Sequence, residues 1–466
     1  MRPLPVPELI DAVGGAAVGP CKHLVCTGVG ADSRTIAPGD CFFAIAGPTF
    51  DGHNYVASVF ERGAVCAVVR RQVPDVPPGN CVIRVPDTVK ALGCLARYYR
   101  TTGRFKVAAI TGSVGKTTVR QMTFAALSRR FTVHQSPKNF NNDIGLPLTL
   151  LSAPADSEMI VAELGTNHPG EIGVLTRIAR PDAAVVTNVY PAHLEGFGTV
   201  ENIAHEKLSI ADGLGDDGRF VINGDIKMLA RLCRAAGRRF LTFGRGEGRD
   251  YRAVDIVAAG SGSTFTLVDG PADATTVIDL PLPGPGNIEN ALAAYALCAG
   301  FGITGPEFVA AVKDLTPVAM RAELLTIGPI RVLSDCYNAN PASMANALST
   351  LAQVNTDGRR TVFVCGDMAE LGPTGEALHE ELGRRIADAG IDVLLTAGPL
   401  SRATARAARR AARHDLRIAS FDDTAAACNN MQDFVKDGDI VLVKGSRSAK
   451  LERTVDKLRE LFSPDA

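Results

Sequence analysis

Glycines, a lysine and hydroxyl side chains lie close together in the segment Ile110-Thr111-Gly112-Ser113-Val114-Gly115-Lys116-Thr117-Thr118. The segment follows an apolar run that predicts a strand at Lys106–Thr111, and it opens a predicted helix, which is the setting of a phosphate-binding loop. The glycines let backbone N–H groups surround phosphates, Lys116 supplies a positive charge, and Thr117 offers a hydroxyl to Mg²⁺. The Gly-x-x-Gly-Lys-Thr spacing is a short form of this loop and predicts binding of a nucleoside triphosphate.

Two further polar residues follow predicted strands of the same segment. Glu163 ends the predicted strand Met159–Leu164, and His193 comes soon after the predicted strand Ala183–Asn188. A carboxylate at this edge of a parallel sheet can meet a metal ion, whereas an isolated histidine is as readily a loop residue satisfied by its neighbours. Lys207 has no lone pair as an ammonium, so it could hold a metal only as a carbamate.

A third set of polar residues follows strands near the C-terminus. Asp335-Cys336-Tyr337-Asn338-Ala339-Asn340-Pro341 follows the predicted strand Ile330–Ser334, and Gly366-Asp367-Met368 and Lys444-Gly445-Ser446-Arg447 also follow strands directly. Since such strand ends meet at one sheet edge, they predict a single crevice. Asn340 alone is equally explained as a plain helix cap.

The elements that must position these residues form three segments. Residues 1–86 combine short strands with one helix, residues 87–317 alternate strands and helices around the phosphate loop, and residues 318–466 alternate again. This pattern predicts an α/β protein of three domains: a small α/β domain, a central P-loop ATPase-type domain with a mostly parallel sheet, and a C-terminal Rossmann-like domain. A linker is predicted at Asp314–Ala319.

The composition limits the function classes that are open to the chain. With 49 basic and 50 acidic side chains, it has no general surface for nucleic acid. No apolar stretch approaches the roughly 20 residues of a membrane span, and the N-terminus lacks the apolar region of a signal peptide. The eleven cysteines contain no Cys-x-x-Cys pair, so we expect reduced packing residues, including Cys66, Cys94, Cys298 and Cys365.

Taken together, the first two sets of residues resemble the Mur ligase family. The resemblance is carried by Gly112–Thr118, Glu163-Leu164-Gly165-Thr166-Asn167, and Asn188-Val189 with Ala192-His193. Members that add a dipeptide are similar at Lys138-Asn139-Phe140-Asn141-Asn142-Asp143-Ile144-Gly145-Leu146-Pro147, Tyr337–Pro341, Gly366–Gly372 with His379, and Val443–Arg447. The family's uridine-nucleotide module is similar to three runs near the N-terminus, Asp32-Ser33-Arg34, Pro38-Gly39-Asp40 and Asp51-Gly52-His53. The resemblance therefore implies that residues 1–86 bind the UDP-substrate.

This resemblance implies a bacterial, cytoplasmic and monomeric ligase that uses ATP and two Mg²⁺ ions. It would join D-alanyl-D-alanine to UDP-N-acetylmuramoyl-tripeptide through an acyl phosphate, with no nucleic-acid partner and no membrane insertion. The implied catalytic residues are Lys116, Lys207 and His193, and the implied metal ligands are Thr117, Glu163, His193 and Lys207 as a carbamate. ATP binding is implied for Gly112, Ser113, Val114, Gly115, Lys116, Thr117, Thr118, Asn287, Asn290, Arg321 and Asp335. Substrate binding is implied for Ser33, Arg34, Gly52, His53, Asn139, Asn141, Asn142, Tyr337, Asn338, Asn340, Lys444 and Arg447.

Two alternative functions can be weighed against this one. A family member that adds a single amino acid, such as diaminopimelate or lysine, is disfavoured because the Asp-Asn-Pro-Arg signature of the diaminopimelate branch is absent. A P-loop regulatory GTPase is disfavoured because no Asn-Lys-x-Asp motif is present. The chain departs from the family at Gly286, where relatives have histidine, and at Met320, where they have glycine.

Overall fold

The structure is a computed structural model that describes residues 1–74, 76, 79–137 and 139–463. Lys138, which belongs to the resemblance, and part of the proline-rich turn predicted at Pro74–Gly79 lie outside the described residues. The chain folds into three successive α/β units, each built around its own main sheet. The predicted fold class is therefore confirmed.

The first unit contains a five-stranded sheet in which one edge strand is antiparallel and the others are parallel. Its elements are β1 (Leu4–Pro5), α1 (Val6–Val13), β2 (Ala16–Val18), β3 (Val25–Cys26), β4 (Gly28–Gly30), β5 (Asp40–Phe43), α2 (Val56–Glu61), β6 (Cys66–Val69) and β7 (Cys81–Arg84). The strand order is β2-β7-β6-β5-β4, while β1 and β3 form a separate antiparallel pair.

The central unit is entered through α3 (Thr88–Thr102) and contains a nine-stranded sheet. Its further elements are β8 (Lys106–Thr111), α4 (Lys116–Leu127), β9 (Val133–Gln135), α5 (Gly145–Leu151), β10 (Met159–Glu163), α6 (Glu171–Ala179), β11 (Ala183–Val186), α7 (Leu194–Phe197), α8 (Val200–Leu208), β12 (Arg219–Asn223), α9 (Lys227–Ala235), β13 (Leu241–Gly244), β14 (Tyr251–Ala259), β15 (Gly262–Asp269), β16 (Ala274–Leu280), α10 (Pro285–Ala299) and α11 (Gly305–Val312).

The order of the central sheet is β16-β15-β14-β13-β12-β11-β8-β10-β9, and only β14, β15 and β16 pair in antiparallel fashion. Strand β8, which leads into the phosphate loop, lies between β10 and β11. The ends of these three strands therefore place the phosphate loop, Glu163 and the segment before His193 at one edge of the sheet.

The C-terminal unit is built around a six-stranded sheet. Its elements are β17 (Glu323–Ile327), β18 (Ile330–Ser334), α12 (Pro341–Val354), β19 (Thr361–Gly366), α13 (Gly375–Asp388), β20 (Val393–Ala397), α14 (Ser401–Ala411), β21 (Arg417–Phe421), α15 (Thr424–Asn429), β22 (Ile440–Lys444) and α16 (Glu452–Phe462). The strand order is β17-β18-β22-β19-β20-β21. Apart from the β17–β18 hairpin, neighbouring strands are parallel. The ends of β18, β19 and β22 lie together, since Lys444 contacts Asp335 at 2.6 Å and the backbone N–H of Ser446 donates to the carbonyl of Asp367 at 2.9 Å.

Helix α3 joins the first two units into one core. Its inward face, which includes Leu92 and Leu95, packs in the same cluster as Phe43 of the first unit and Leu164 of the central unit. The predicted packing role of Cys94 is wrong: Cys94 is exposed, because it lies on the opposite face of this helix. All eleven cysteines are free thiols, as expected. Among the described residues, no helix has the length and apolarity that crossing a membrane requires.

Candidate active site

The phosphate loop connects β8 to α4 and is held in shape by the neighbouring strand end. Asn188 accepts hydrogen bonds from the backbone N–H of Val114 through its side chain (2.8 Å) and from that of Ser113 through its carbonyl (3.1 Å). Gly115 has a φ of 86°, a conformation that favours glycine. The Lys116 ammonium donates to the carbonyl of Gly112 at 2.8 Å. The lysine side chain therefore folds back over the loop and connects its end to its beginning.

Glu163 lies beside this loop at the end of β10. Its carboxylate accepts one hydrogen bond from the hydroxyl of Thr117 (3.0 Å) and one from the amide of Asn141 (3.0 Å). Glu163 is buried, with 2% of its surface exposed. Burial lowers the pKa of Lys116, and the nearby Glu163 carboxylate opposes that shift. The sequence prediction that Lys116, Thr117 and Glu163 form one cluster is supported by these contacts.

Lys207 and His193 lie close to the same cluster. Burial and the charge of Lys116 lower the pKa of Lys207 to about 7. Burial also lowers the pKa of His193, a shift that Glu370 opposes, and both Lys116 and Lys207 favour the neutral imidazole. The adjacent Glu206 fixes α8, because its carboxylate accepts from the backbone N–H groups of Gly170 and Ile172 at 2.7 Å each.

The donor set in this region fits Mg²⁺ held together with a triphosphate. Thr117 and Glu163 offer a hydroxyl and a carboxylate that already touch, and Mg²⁺ takes such oxygen ligands together with phosphate oxygens and water. Within the described ranges, no group of three or more His, Cys, Asp or Glu side chains is arranged to hold a metal ion. The protein donors alone are therefore few, as expected for a site completed by its nucleotide.

The predicted nucleotide-base residues lie at the start of α10. Asn290 is directly against the phosphate loop, since a Cβ atom on Gly115 would approach its Oδ1 to 2.1 Å. Asn290 donates to the Asn287 side chain at 3.0 Å, and Asn287 donates to the carbonyl of Pro283 at 2.7 Å. The structure thus brings both asparagines next to the loop.

The C-terminal crevice is organised around a buried ion pair. Lys444, with 2% of its side chain exposed, contacts the Asp335 carboxylate at 2.6 Å and also donates to the carbonyl of Asn338 at 3.1 Å. The ammonium of Lys444, which the resemblance assigns to substrate binding, is therefore paired here with a carboxylate of the chain itself. Arg447 instead pairs with Glu452 at 3.2 Å.

Tyr337 projects from this crevice between two arginines. The Arg321 guanidinium lies 4.1 Å from the centre of the Tyr337 ring, and that of Arg447 lies 5.9 Å from it. The positive charge of Arg321 also contributes to the lowered pKa of Lys116. Asn340 caps α12 by accepting from the backbone N–H of Ser343 at 2.9 Å, so the plain-cap interpretation describes its contacts here.

The predicted uridine-nucleotide residues lie in the first unit. Arg34 is exposed and forms an ion pair with Asp32 at 2.7 Å, while Ser33 is buried. His53 is also buried: its Nδ1 contacts Asp51 at 2.6 Å and its Nε2 accepts from the backbone N–H of Arg70 at 3.0 Å. Neither nitrogen of His53 is free for a ligand in this arrangement.

The asparagines after β9 divide between two roles. Asn141 reaches Glu163, as described above, whereas Asn142 accepts from the backbone N–H of Gly145 at 2.8 Å and so supports the start of α5. Asn139 is exposed. Gly52, in the first unit, is in close contact with Ile45, because its backbone N–H donates to that carbonyl at 2.8 Å.

Sequence reasoning missed three residues that border the site. Arg120 is buried near Glu163 and donates to the carbonyl of Ser136. Glu370 contacts His193 from the C-terminal unit. Asn346 accepts from the backbone N–H of Gly286 at 2.9 Å. Only Glu370 had a signal in the sequence, since it lies in the predicted run Gly366–Gly372.

Both departures from the family have a visible consequence. At Gly286, a Cβ atom would meet Asn346 Oδ1 at 2.7 Å, so the glycine leaves room for that side chain. Met320 has a φ of 62°, the left-handed region in which the glycine of relatives carries no penalty. The hinge segment before Arg321 therefore holds a strained residue.

The chain belongs to the Mur ligase family. Family models match at residues 25–100 (Mur ligase family, catalytic domain), 110–298 (Mur ligase middle domain) and 320–447 (Mur ligase, glutamate ligase domain). The resemblance found in the sequence is confirmed.

Among the relatives, UDP-N-acetylmuramoyl-tripeptide–D-alanyl-D-alanine ligase of Bacillus subtilis (strain 168) is 35% identical, over 98% of this chain and 98% of its own. The Escherichia coli (strain K12) enzyme of the same name is 36% identical, over 97% and 98%. A crystal structure of MurF from Acinetobacter baumannii superposes with a TM-score of 0.89 at 31% identity, covering 99% of each chain. MurF ligase from Thermotoga maritima, in complex with ADP, gives a TM-score of 0.82 at 27% identity, covering 94% and 98%.

Proposed function

We propose that this ligase joins D-alanyl-D-alanine to UDP-N-acetylmuramoyl-tripeptide at the expense of ATP, in peptidoglycan precursor synthesis. The observation that carries the proposal is the contact of Thr117 with Glu163 beside Lys116, at a sheet edge that faces the Tyr337 segment. Full-length relatives with this activity support it. We assign the uridine nucleotide to residues 1–86, ATP to residues 87–317 and the dipeptide to residues 318–466.

In this reaction the terminal carboxylate of the tripeptide attacks the γ-phosphorus of ATP, giving an acyl phosphate and ADP. The amine of the dipeptide then attacks the acyl carbon, loses a proton, and expels phosphate to leave the amide. A carboxylate and a triphosphate repel each other, so Lys116 and the N–H groups of the loop must offset that charge. Lys116 is well placed, since its ammonium already points to the loop interior.

We assign Thr117 and Glu163 to one Mg²⁺ and His193, Glu163 and the Lys207 carbamate to a second. Bound Mg²⁺ supplies charge neutralisation and alignment of the phosphates. The chain's own contribution is burial, which lowers the pKa of both His193 and Lys207 and so favours their neutral forms. The ammonium form of Lys207 has no lone pair, but its neutral amine can add through the nitrogen lone pair to CO₂, forming an N–C bond and releasing one proton. The product is a carbamate, whose oxygen atoms can hold a metal ion.

The C-terminal unit would complete the site by closing over it. An acyl phosphate is lost to water, so the unit that carries Tyr337 must exclude solvent while the dipeptide reacts. The predicted linker at Asp314–Ala319 connects the two units, and Arg321 follows it after Met320. We place the enzyme in the cytoplasm, where ATP and nucleotide-linked precursors are available, and expect it to act as a monomer.

The test is release of ADP and phosphate with UDP-N-acetylmuramoyl-tripeptide and Mg²⁺, in the presence and absence of D-alanyl-D-alanine. We expect turnover that needs both substrates and gives the pentapeptide, as identified by mass spectrometry. Activity with a single diamino acid on a shorter peptide, together with no response to the dipeptide, would contradict the proposal and assign the chain to another branch of the family.

A further inference from the structure

A segment of the C-terminal unit docks directly onto the loop that carries His193. The carboxylate of Glu370 is hydrogen-bonded to Nδ1 of His193, and the backbone N–H of Glu195 donates to the carbonyl of Glu370 at 3.1 Å. The fit is close, since a Cβ atom on Gly372 would meet Cα of Glu195 at 3.3 Å. Side chain and backbone of Glu370 therefore both contact the central unit.

Both residues of this contact adopt an unfavourable backbone conformation. His193 has a φ of 55° and Glu370 has a φ of 62°, in the left-handed region that non-glycine residues rarely occupy. Such conformations persist where the surroundings determine them strongly, and they are concentrated at functional sites. Two of them facing each other across a domain boundary are more than a chance surface contact.

The chemistry of a histidine ligand explains what the contact achieves. An imidazole that holds a metal through one nitrogen almost always donates the N–H of its other nitrogen to a carboxylate or a carbonyl, which fixes the ring and its tautomer. With Nδ1–H directed to Glu370, the lone pair of His193 is on Nε2. About three quarters of the His193 side chain is covered, its exposed fraction being 23%, whereas Glu370 is 53% exposed.

We propose that Glu370 is a positioning residue that orients the His193 imidazole for metal binding only when the C-terminal unit is docked. The inference rests on the proposed function, in which His193 is a metal ligand. Because Glu370 belongs to the unit that carries Tyr337, docking of that unit and completion of the metal site become one event. The ligand set would then be fully oriented only in the closed enzyme.

The test uses Mn²⁺ as a spectroscopic probe for the Mg²⁺ site in the full-length protein with ADP. Free Mn²⁺ is measured by electron paramagnetic resonance for the wild type, Glu370→Ala, Glu370→Gln and the control Glu376→Gln. Glu376 is an acidic residue of the same unit whose carboxylate pairs with Arg406 away from the site. We expect Glu370→Ala to raise the half-saturating Mn²⁺ concentration roughly ten-fold, Glu370→Gln to raise it less because a neutral acceptor is weaker, and Glu376→Gln to leave it unchanged.

A double-mutant cycle with His193→Gln separates positioning from a general structural role. If Glu370 acts through His193, its replacement has little further effect once His193 is gone. Additive effects, or an unchanged Mn²⁺ affinity in Glu370→Ala, would overturn the inference. A wild type that lacks dipeptide-dependent turnover would instead overturn the proposed function, so the two failures are distinguishable.

Discussion

At the scale of single residues, Lys207 is the group whose chemistry depends most on its surroundings. Burial and the neighbouring Lys116 lower the pKa of Lys207 to about 7. The amine is therefore mainly neutral above that pH and mainly protonated below it. Only the neutral amine can form a carbamate, so we expect ligase activity to fall as the pH decreases through about 7, and to fall further when dissolved CO₂ is removed.

The measurement is the initial rate between about pH 6 and 9, in buffers with and without bicarbonate. Lys207→Arg should lose nearly all activity and show no response to bicarbonate, because a guanidinium stays charged. Lys227→Arg, on an exposed lysine at the start of α9, should behave as the wild type. An equal bicarbonate response in Lys207→Arg would contradict the assigned role.

Lys444 gives a second prediction at this scale. Its ammonium is buried against Asp335 at 2.6 Å, so Lys444→Met would leave a carboxylate without its partner in a site of low exposure. Breaking one side of a buried pair costs about 3–5 kcal/mol. We expect a loss of that order in the free energy of unfolding of the C-terminal unit, measured by urea denaturation.

Two variants test the cause of that loss. Lys457→Met removes a half-buried lysine whose partner, Glu460, is exposed, and it should change stability by no more than about 1 kcal/mol. Lys444→Met combined with Asp335→Asn removes the stranded charge and should regain part of the stability. If the double variant is no more stable than Lys444→Met alone, lost packing rather than the unpaired charge is the cause.

At the scale of elements, helices α10 and α12 meet through a glycine. Gly284 precedes α10 with a φ of 96°, and a Cβ atom there would approach Thr350 Oγ1 of α12 to 2.3 Å. Gly284→Ala therefore combines backbone strain of about 1–3 kcal/mol with overpacking of about 1–3 kcal/mol. We expect lower stability in urea and a raised KM for ATP, because α10 carries Asn290 beside the phosphate loop.

Gly170 provides a control in which a positive φ is present without crowding. It also precedes a helix, with a φ of 90°, but a Cβ atom on it would meet nothing within 4 Å. Gly170→Ala should therefore lose only the strain energy and leave the KM for ATP unchanged. If both variants lose the same stability, the crowding between residue 284 and Thr350 adds nothing to the free energy of unfolding, and the prediction for α10 and α12 is contradicted.

The elements themselves were largely predictable from the sequence, because apolar runs and turn residues act locally. Strands Lys106–Thr111 and Ile330–Ser334 begin and end where they were predicted. The strand predicted over Ala183–Asn188 ends earlier, at Val186, and the Thr187 hydroxyl donates instead to the carbonyl of Val114 in the phosphate loop at 2.7 Å. Local patterns thus determine where elements lie better than where they stop.

The site was predictable only to the extent that strand ends converge. That reasoning brought Glu163 and the phosphate loop together correctly, since both end neighbouring parallel strands. It could not place Glu370 on His193, which is 177 residues away in the chain. Nor could it show that Lys444 forms an ion pair with Asp335. Such contacts depend on how two units dock and on which partner a charge finds when buried.

At the scale of the whole molecule, the three units are joined unequally. The first and central units share one apolar core around α3. The C-terminal unit has its own cores, which include Phe363. It meets the central unit through polar contacts, such as Gln353 with Gly262 (2.7 Å), and through the apolar side chain of Leu194, which packs against the C-terminal core. A boundary of this kind permits domain motion more readily than a shared core does.

This difference predicts two unfolding transitions in calorimetry rather than three. ADP should raise the transition that contains the phosphate loop, because a ligand stabilises the unit that binds it. Phe43 is fully buried in the shared core. Phe43→Ala should therefore reduce the free energy of unfolding of this part by about 3–5 kcal/mol and lower the midpoint temperature of the ADP-sensitive transition. Phe363→Ala, a matched change in the C-terminal core, should lower the midpoint temperature of the other transition.

The Phe43→Ala result separates two cases. If a third transition appears whose midpoint ADP does not change, the first unit unfolds on its own and the core around α3 is not cooperative. If Phe43→Ala lowers the ADP-sensitive transition alone, the first and central units move as one body, and only the C-terminal unit is free to close over the site.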